Sequence, residues 1–390
     1  MSGASYKRLF SRAFAAAPDR LHFAAHSHHL WPDASYDGHV AAWNDAALLA
    51  DRKWDKIFGE VIPEAQRNVA QELNLPDAGA IGFAPNTHEL LTRIFSAKGR
   101  SPLKVLCSDG EFHSFRRQAG RWVEANAIIM SIVPLAPMDT FAARFVEAMA
   151  EQHPDIAFVS QVMFKTGLVF DRIDELAAYA HPEGPWVVVD GYHSFMAMSV
   201  DLSRCADRIF FLGGGYKYAM AGEGAAFAHA PPGFAMRPVN TGWFAEFGAL
   251  EGKPGAINYG PGGFRLLGAT YDSTPLYRFN AVRAMLRREG LTTANITSRI
   301  AALRSSLVRR IRDGEAGVLS QAELIAPAHA PVQQRFIALR DKRAMQWKAK
   351  LMEHDIITDA RDDVLRIGLG LYIDADDIAA FCEKAAAVLK

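Results

Sequence analysis

Lys217 stands in the run Phe211-Leu-Gly-Gly-Gly-Tyr-Lys-Tyr-Ala-Met-Ala-Gly222, and upstream of it Asp190 closes the apolar stretch Trp186-Val-Val-Val-Asp190. An amine set among glycines can condense with an aldehyde, because no bulky side chain blocks the approach of the partner. A carboxylate at a strand tip can keep a pyridine nitrogen protonated, which makes the ring an electron sink. The pair therefore meets the two demands of a pyridoxal 5′-phosphate (PLP) site, a lysine for the Schiff base and an acid for the ring nitrogen. The segment Asp190-Gly-Tyr-His193 adds an imidazole within reach of the cofactor ring or its 3-oxygen.

An anion is favoured at a helix N-terminus, where unpaired N–H groups and the helix dipole converge. Pro85-Asn-Thr-His-Glu89 supplies such a terminus: Asn86 and Glu89 have capping-box spacing, and Thr87 adds a hydroxyl. Alone this is an ordinary cap. After a candidate strand and ahead of the lysine, it is the expected phosphate site. Arg366 lies in Asp363-Val-Leu-Arg-Ile-Gly-Leu, an otherwise apolar strand. A guanidinium there needs a partner, either a substrate carboxylate held by both arms of the fork or an acidic neighbour in a structural salt bridge. The cluster His26-Ser-His28-His29 invites a metal, but no cysteine or carboxylate pattern accompanies it, and no metal is expected. Gly213-Gly-Gly215 lacks dinucleotide-binding spacing and carries a lysine where a helix should open.

The elements that position these groups follow from pattern. Strands are expected at 103–108, 127–133, 155–160, 186–190, 208–212 and 225–229, alternating with helices at 89–97, 112–126, 140–152 and 173–180. Alternation of this kind implies a mostly parallel sheet covered on both faces, with ligands collecting outside the strands' carboxyl ends. The Gly-, Pro- and aromatic-rich segment 231–275 reads as a long functional loop. Helical pattern resumes from Tyr277 to about Arg312. A smaller α/β unit follows, with strands at 334–339 and 364–369 and helices at 342–354 and 374–389. The expected division is an N-terminal segment (1–45) packing near the small unit, a large α/β domain (46–275) and a C-terminal α/β domain (276–390).

Composition narrows the classes. The 390 residues are half hydrophobic and 22% charged, which suits a chain with sizeable cores, and Lys+Arg and Asp+Glu both number 43. That balance points to neither nucleic acid nor an acidic membrane surface as a partner. Three scattered cysteines (Cys107, Cys205, Cys382) fit a reducing compartment, and no apolar stretch has membrane-spanning length. The first 20 residues read as a short amphipathic helix packed on the body rather than a targeting peptide, so a cytoplasmic protein is expected.

Together these residues resemble the fold-type-I PLP enzymes of the class V aminotransferase family, and within it the kynureninase branch. The likeness is carried by Gly215-Tyr-Lys-Tyr, by Asp190-x-x-His193 and by Leu365-Arg-Ile-Gly-Leu-Gly-Leu-Tyr372. It implies a large domain with a mostly parallel mixed sheet, a smaller C-terminal α/β domain and a homodimer whose active sites are completed across the interface. It further implies Lys217 as the Schiff-base lysine and Asp190 as the pyridinium partner, with His193 and Tyr216 at the cofactor and Asn86 and Thr87 on its phosphate. Phe112 would stack on the ring, Ser160 and Trp243 would contact the cofactor, and Ser273 and Thr274 occupy the place of an Asn-Pro pair that often crosses the dimer interface. Arg366, His28 and Trp243 form the implied substrate set, with Trp31 and Trp54 as further pocket walls. Several positions depart from the branch: Phe115 replaces an aspartate, Ser273-Thr274 replaces Asn-Pro, and His26-Ser-His-His29 replaces Asn-Ser-Leu-Gly. The cofactor site carries over better than the substrate site.

The expected function is a PLP enzyme acting on an α-amino acid through the Lys217 Schiff base and a quinonoid intermediate, leading to transamination or to kynureninase-type side-chain hydrolysis. A cysteine desulfurase or lyase is the alternative within the family, but no cysteine lies between residues 206 and 381 to act as the desulfurase nucleophile. A non-catalytic PLP-fold binding protein and a histidine-based metal hydrolase are the alternatives from other classes.

Overall fold

The computed structural model describes residues 5–249, 255–325 and 334–390. Residues 1–4 of the N-terminal segment and 250–254 of the long loop lie outside the described residues.

Short runs of β-branched and aromatic residues build a seven-stranded sheet: β1 (Ile81–Ala84), β2 (Leu103–Ser108), β3 (Ile128–Val133), β4 (Ile156–Ser160), β5 (Trp186–Asp190), β6 (Ile209–Gly213) and β7 (Ala226–His229). Their spatial order is β3-β2-β4-β5-β6-β7-β1. Strands β2 to β6 run parallel, and β7 is antiparallel to both β6 and β1. Alternate residues enter opposite cores. Val187, Val189, Ile209 and Phe211 join one cluster, while Trp186, Val188, Phe210 and Leu212 join the other. Burial on both faces is why these strands read as unbroken apolar runs rather than as alternation.

The principal helices are α1 (Asp33–Leu49), α2 (Ile62–Leu73), α3 (Thr87–Ser96), α4 (His113–Glu124), α5 (Phe141–Gln152), α6 (Thr274–Arg288), α7 (Thr293–Arg312), α8 (Ala344–Met352) and α9 (Ala375–Val388). The expected continuous helix from Tyr277 to Arg312 is two helices. Gly290 takes a left-handed φ of 64°, and Thr292 opens α7 with a reciprocal capping box to Asn295. The helix expected over 173–180 ends at Ala177. The long loop carries two 3₁₀ segments, at Trp243–Ala249 and Gly262–Leu266.

A second, antiparallel sheet is formed by β8 (Glu323–Ile325), β9 (Phe336–Arg340), β10 (Asp359–Arg361) and β11 (Val364–Gly368) in the order β10-β11-β9-β8. The N-terminal segment is stitched to this unit. Leu21 and His22 pair in parallel with Ile356 and Ile357, and the Phe23 carbonyl accepts from the Gly368 amide at 2.7 Å. One face of the second sheet carries Phe336, Arg366 and Gly368, which are in register or two residues apart, and turns toward the carboxyl ends of the large sheet. No helix among the described residues is long and apolar enough to cross a membrane.

Candidate active site

A cavity of about 210 Å³ opens at the carboxyl ends of β4, β5 and β6. Asn86, Thr87, Phe112, Ser160, Asp190, His193, Tyr216 and Lys217, all singled out from sequence, line it. His88, Ser114, Val162, Phe164, Tyr192 and Glu223 line it as well.

Asp190 is the last residue of β5, where the buried run Trp186–Val189 delivers its carboxylate to the strand end. Its Oδ1 accepts from the Tyr192 amide at 2.9 Å, closing a turn that returns the chain toward the cavity. Gly191 is required at that turn, because a Cβ there would fall inside the Phe211 ring. Burial holds the Asp190 carboxyl above the ordinary carboxylate range, opposed by the Tyr192 amide and the Lys217 charge.

Lys217 lies on the turn after β6. Gly214 lets the Tyr192 hydroxyl close on the backbone, since a Cβ at that position would overlap it. The lysine is 5% exposed and, among the described residues, has no carboxylate within ion-pair distance. Its Nζ is 2.9 Å from His193 Nε2 and sits 4.8 Å, 5.2 Å and 5.6 Å from the ring centroids of Tyr192, Tyr216 and Phe112. Desolvation dominates its titration and brings the amine down to about 7, with Asp190 opposing and the Arg366 cation assisting. His193 is held well below its usual value by burial and by Lys217, so it is a neutral imidazole beside the amine. A neutral amine at near-neutral pH is a nucleophile and a base.

At the other end of the cavity, α3 begins. The Asn86 side chain accepts from the Glu89 amide at 3.0 Å, so it is the helix cap, and the amides of Thr87 and His88 remain for an anion. The donor set fits PLP on three counts. Among the described residues the lysine amine has only an imidazole as hydrogen-bond partner, His193 Nδ1 is buried and unpartnered, and an acid and a helix N-terminus line the same cavity.

The remaining sequence candidates are placed elsewhere. Arg366 does not line the cavity. It is buried, pairs with Asp359 and donates to the Phe164 carbonyl, while its Nε has no partner. Asp359 also accepts from Arg361 at 2.6 Å, so two guanidinium groups share one acid and the cluster keeps a surplus positive charge. His28 is exposed, with its ring stacked 5.1 Å from that of Tyr216 and Nε2 3.7 Å from Glu223. Trp243 is 44% exposed and donates to Thr270 Oγ1, and Ser273 and Thr274 begin α6, where Thr274 donates to Asp272. None of these three lines this chain's own cavity: Trp243 is exposed on the long loop, while Ser273 is buried and Thr274 half-buried at the start of α6. Trp31 packs against Gly222 and Arg278, and Trp54 packs edge-on against Phe244. Of the four expected pocket aromatics, Phe112 alone reaches the cavity.

The histidine cluster is dispersed. His26 is buried against Phe336, and His29 donates from Nδ1 to the Leu30 carbonyl while its Nε2 accepts from the Leu371 amide. Sequence reasoning missed Tyr192, Phe164 and a fully buried Glu111. Tyr192 had a signal, since it sits between Asp190 and His193.

A lysine and an acid at adjacent strand ends of a mostly parallel mixed sheet with one antiparallel strand define the fold-type-I PLP enzymes, and this chain has that fold. It belongs to the class-V aminotransferase family, whose model matches residues 43–250. Family membership makes PLP the cofactor. The chain is 32% identical over 223 residues to isopenicillin N epimerase of Streptomyces clavuligerus, a match covering 54% of each sequence, so it spans about half the length of that relative. Among solved structures it resembles C-DES carrying glycine covalently linked to the PLP cofactor, with a TM-score of 0.83, 16% identity and coverage of 99% of this chain and 100% of that one. A cysteine desulfurase from Thermococcus onnurineus NA1 superposes with a TM-score of 0.77 at 16% identity, covering 100% of this chain and 99% of that one. At these identities the structural likeness concerns the fold.

Proposed function

We propose that this chain acts on an α-amino acid, with Lys217 as the covalent attachment point for PLP and as the base that removes the Cα proton. The observation that carries the reading is the buried, uncompensated Lys217 amine 2.9 Å from a neutral His193 and next to Asp190. Bound PLP supplies an aldehyde for imine exchange and an electron-withdrawing ring. Asp190 holds the proton on the ring nitrogen. His193 accepts or returns a proton at Lys217 Nζ, and Tyr216 and Tyr192 wall that amine off from water. Thr87 and the first amides of α3 hold the phosphate, Phe112 covers the ring face, and Ser160 contacts the cofactor beside Asp190.

Arg366, buried behind the cavity-wall residue Phe164 with its guanidinium 5.8 Å from that ring, orients the substrate carboxylate once Phe164 gives way, drawing on the surplus charge it shares with Arg361 over a single Asp359. Arg366→Lys, which keeps the charge and loses the fork, is expected to raise KM for the amino acid about 10- to 100-fold while leaving PLP affinity unchanged. Steady-state kinetics beside a PLP titration check this, and an unaltered KM would remove Arg366 from the substrate site.

Within this class, transamination, epimerisation, β-lyase chemistry and kynureninase-type cleavage all begin with the same proton removal. Persulfide chemistry of the desulfurase kind has little support in this chain. Cys107, Cys205 and Cys382 are all buried away from the cavity, and burial pushes their thiols up to about 12, 12 and 11. The test of reaction type is a panel of L-amino acids scored for keto-acid-dependent amino transfer, racemisation and release of a side-chain fragment. No turnover with any of them would leave a binding protein as the better account.

The proposal includes a homodimer. Family likeness suggests it, and Trp43, Val239, Trp243 and Ile257, all exposed on α1 and the long loop, are apolar side chains that a second copy would cover. Light scattering is expected to return about twice the chain mass of 42.8 kDa, and a monomer at micromolar concentration would refute it.

A further inference from the structure

Glu111 does not line the cavity, yet it is a fully buried acid directly behind it. Its Oε1 accepts from the Ser108 hydroxyl at 2.5 Å, and its Oε2 accepts from both the amide (3.0 Å) and the hydroxyl (2.6 Å) of Ser160. Ser160 is the register partner of Asp190 across β4 and β5, so two acids flank one pair of strand ends. The groups that reach Glu111 are Ser108 from β2 and Ser160 from β4 by hydrogen bond, and Cys107 from β2 and Asp190 from β5 by charge. The titratable ones are acids or a thiol that burial keeps neutral, and no salt bridge of the described residues involves Glu111. Burial, with Asp190 adding to it, brings the Glu111 carboxyl up to about 7.

An amide would clamp two serines at less cost than a carboxyl that has no cation to meet. A cation this corner can receive is the protonated ring nitrogen facing Asp190, an argument that rests on the cavity being the PLP site. We propose that Glu111 is a positioning residue of the cofactor site: it clamps Ser160 beside Asp190 and, once a cationic pyridine ring is bound, ionises to add a second negative charge behind the ring nitrogen. The bound cation favours the ionised acid, so binding releases a proton that the free protein still holds near and below neutrality. Cofactor affinity therefore gains a component that rises with pH through neutrality. Lys217 contributes a parallel rise, because its amine must be neutral to form the imine, and that part is common to the wild type and the variants compared.

The test is a PLP titration of cofactor-stripped wild type, Glu111→Gln and Glu111→Asp, followed by protein fluorescence near pH 6, 7 and 8, with thermal melts of each stripped protein to establish folding. Glu111→Gln is expected to match wild type near pH 6 and to fall about tenfold behind it near pH 8, with Glu111→Asp recovering part of the slope. A deficit of equal size at every pH would overturn the charge role, and unchanged affinity throughout would overturn the proposal whole. If wild type itself fails to bind PLP at any pH, the reading of the cavity falls instead.

Discussion

Replacing Lys217 by alanine is expected to cut turnover of an amino-acid substrate by about 10⁴-fold, the upper end of what one general base supplies. The loss should be that large because the same nitrogen anchors the cofactor and moves the Cα proton, so one substitution removes two functions. The absorbance of the Lys217 imine should be lost in the variant, any PLP it retains absorbing as the aldehyde or as an imine with an added amine, and borohydride reduction followed by peptide mapping should label Lys217 in wild type alone. The environment sets the pH range. Burial among Tyr192, Tyr216 and Phe112 lowers this amine to about 7, so it is neutral and nucleophilic above that value and increasingly protonated below it. The yield of borohydride-trapped adduct from stripped protein should accordingly rise as pH passes through 7. Label on a different lysine would refute the assignment at its centre.

Asp190→Asn should produce the second-largest effect. The asparagine oxygen can still accept from the Tyr192 amide, so the turn after β5 should survive while the negative charge is lost. Removing one partner of a buried charge pair costs about 3–5 kcal/mol, which corresponds to a fall in kcat of roughly 10²- to 5 × 10³-fold. Circular dichroism and borohydride labelling of Lys217 should remain as in wild type, separating loss of ring activation from loss of fold or cofactor. A kcat within threefold of wild type would show that Asp190 does not hold the ring proton.

Much of the large sheet was legible because strands buried on both faces read as continuous apolar runs. β2 and β5 lie at the residues expected, and β3, β4, β6 and β7 begin one residue later than expected. Helices α1 and α2 escaped notice for different reasons. The buried contacts of α1 are Ala34, Ser35 and Gly38, small residues that give no apolar stripe. The pattern of α2 is amphipathic, with Ile62, Ala65, Val69 and Leu73 inward, and was there to be read. The break between α6 and α7 hinged on one glycine and one threonine inside otherwise helical composition.

The site divides along a similar line. Lys217, Asp190, His193 and the α3 cap were readable because each sits at a strand end or helix start within a short motif whose residue types announce their chemistry. Glu111 was silent, since an acid before an aromatic says nothing until β4 brings Ser160 against it. The ring faces around Lys217 come from three separate segments, and the partner of Arg366 comes from a neighbouring strand.

Sequence alone determined the class of chemistry and the alternation of elements, because local motifs and burial periodicity are properties of neighbouring residues. The tertiary structure decided the strand order, the lowered basicity of the lysine, the sharing of one aspartate by two arginines and the exile of Trp243, Ser273 and Thr274 from this chain's cavity. Those are matters of distance and dielectric between segments far apart in the chain, and they come into being only when the strands pair and water leaves.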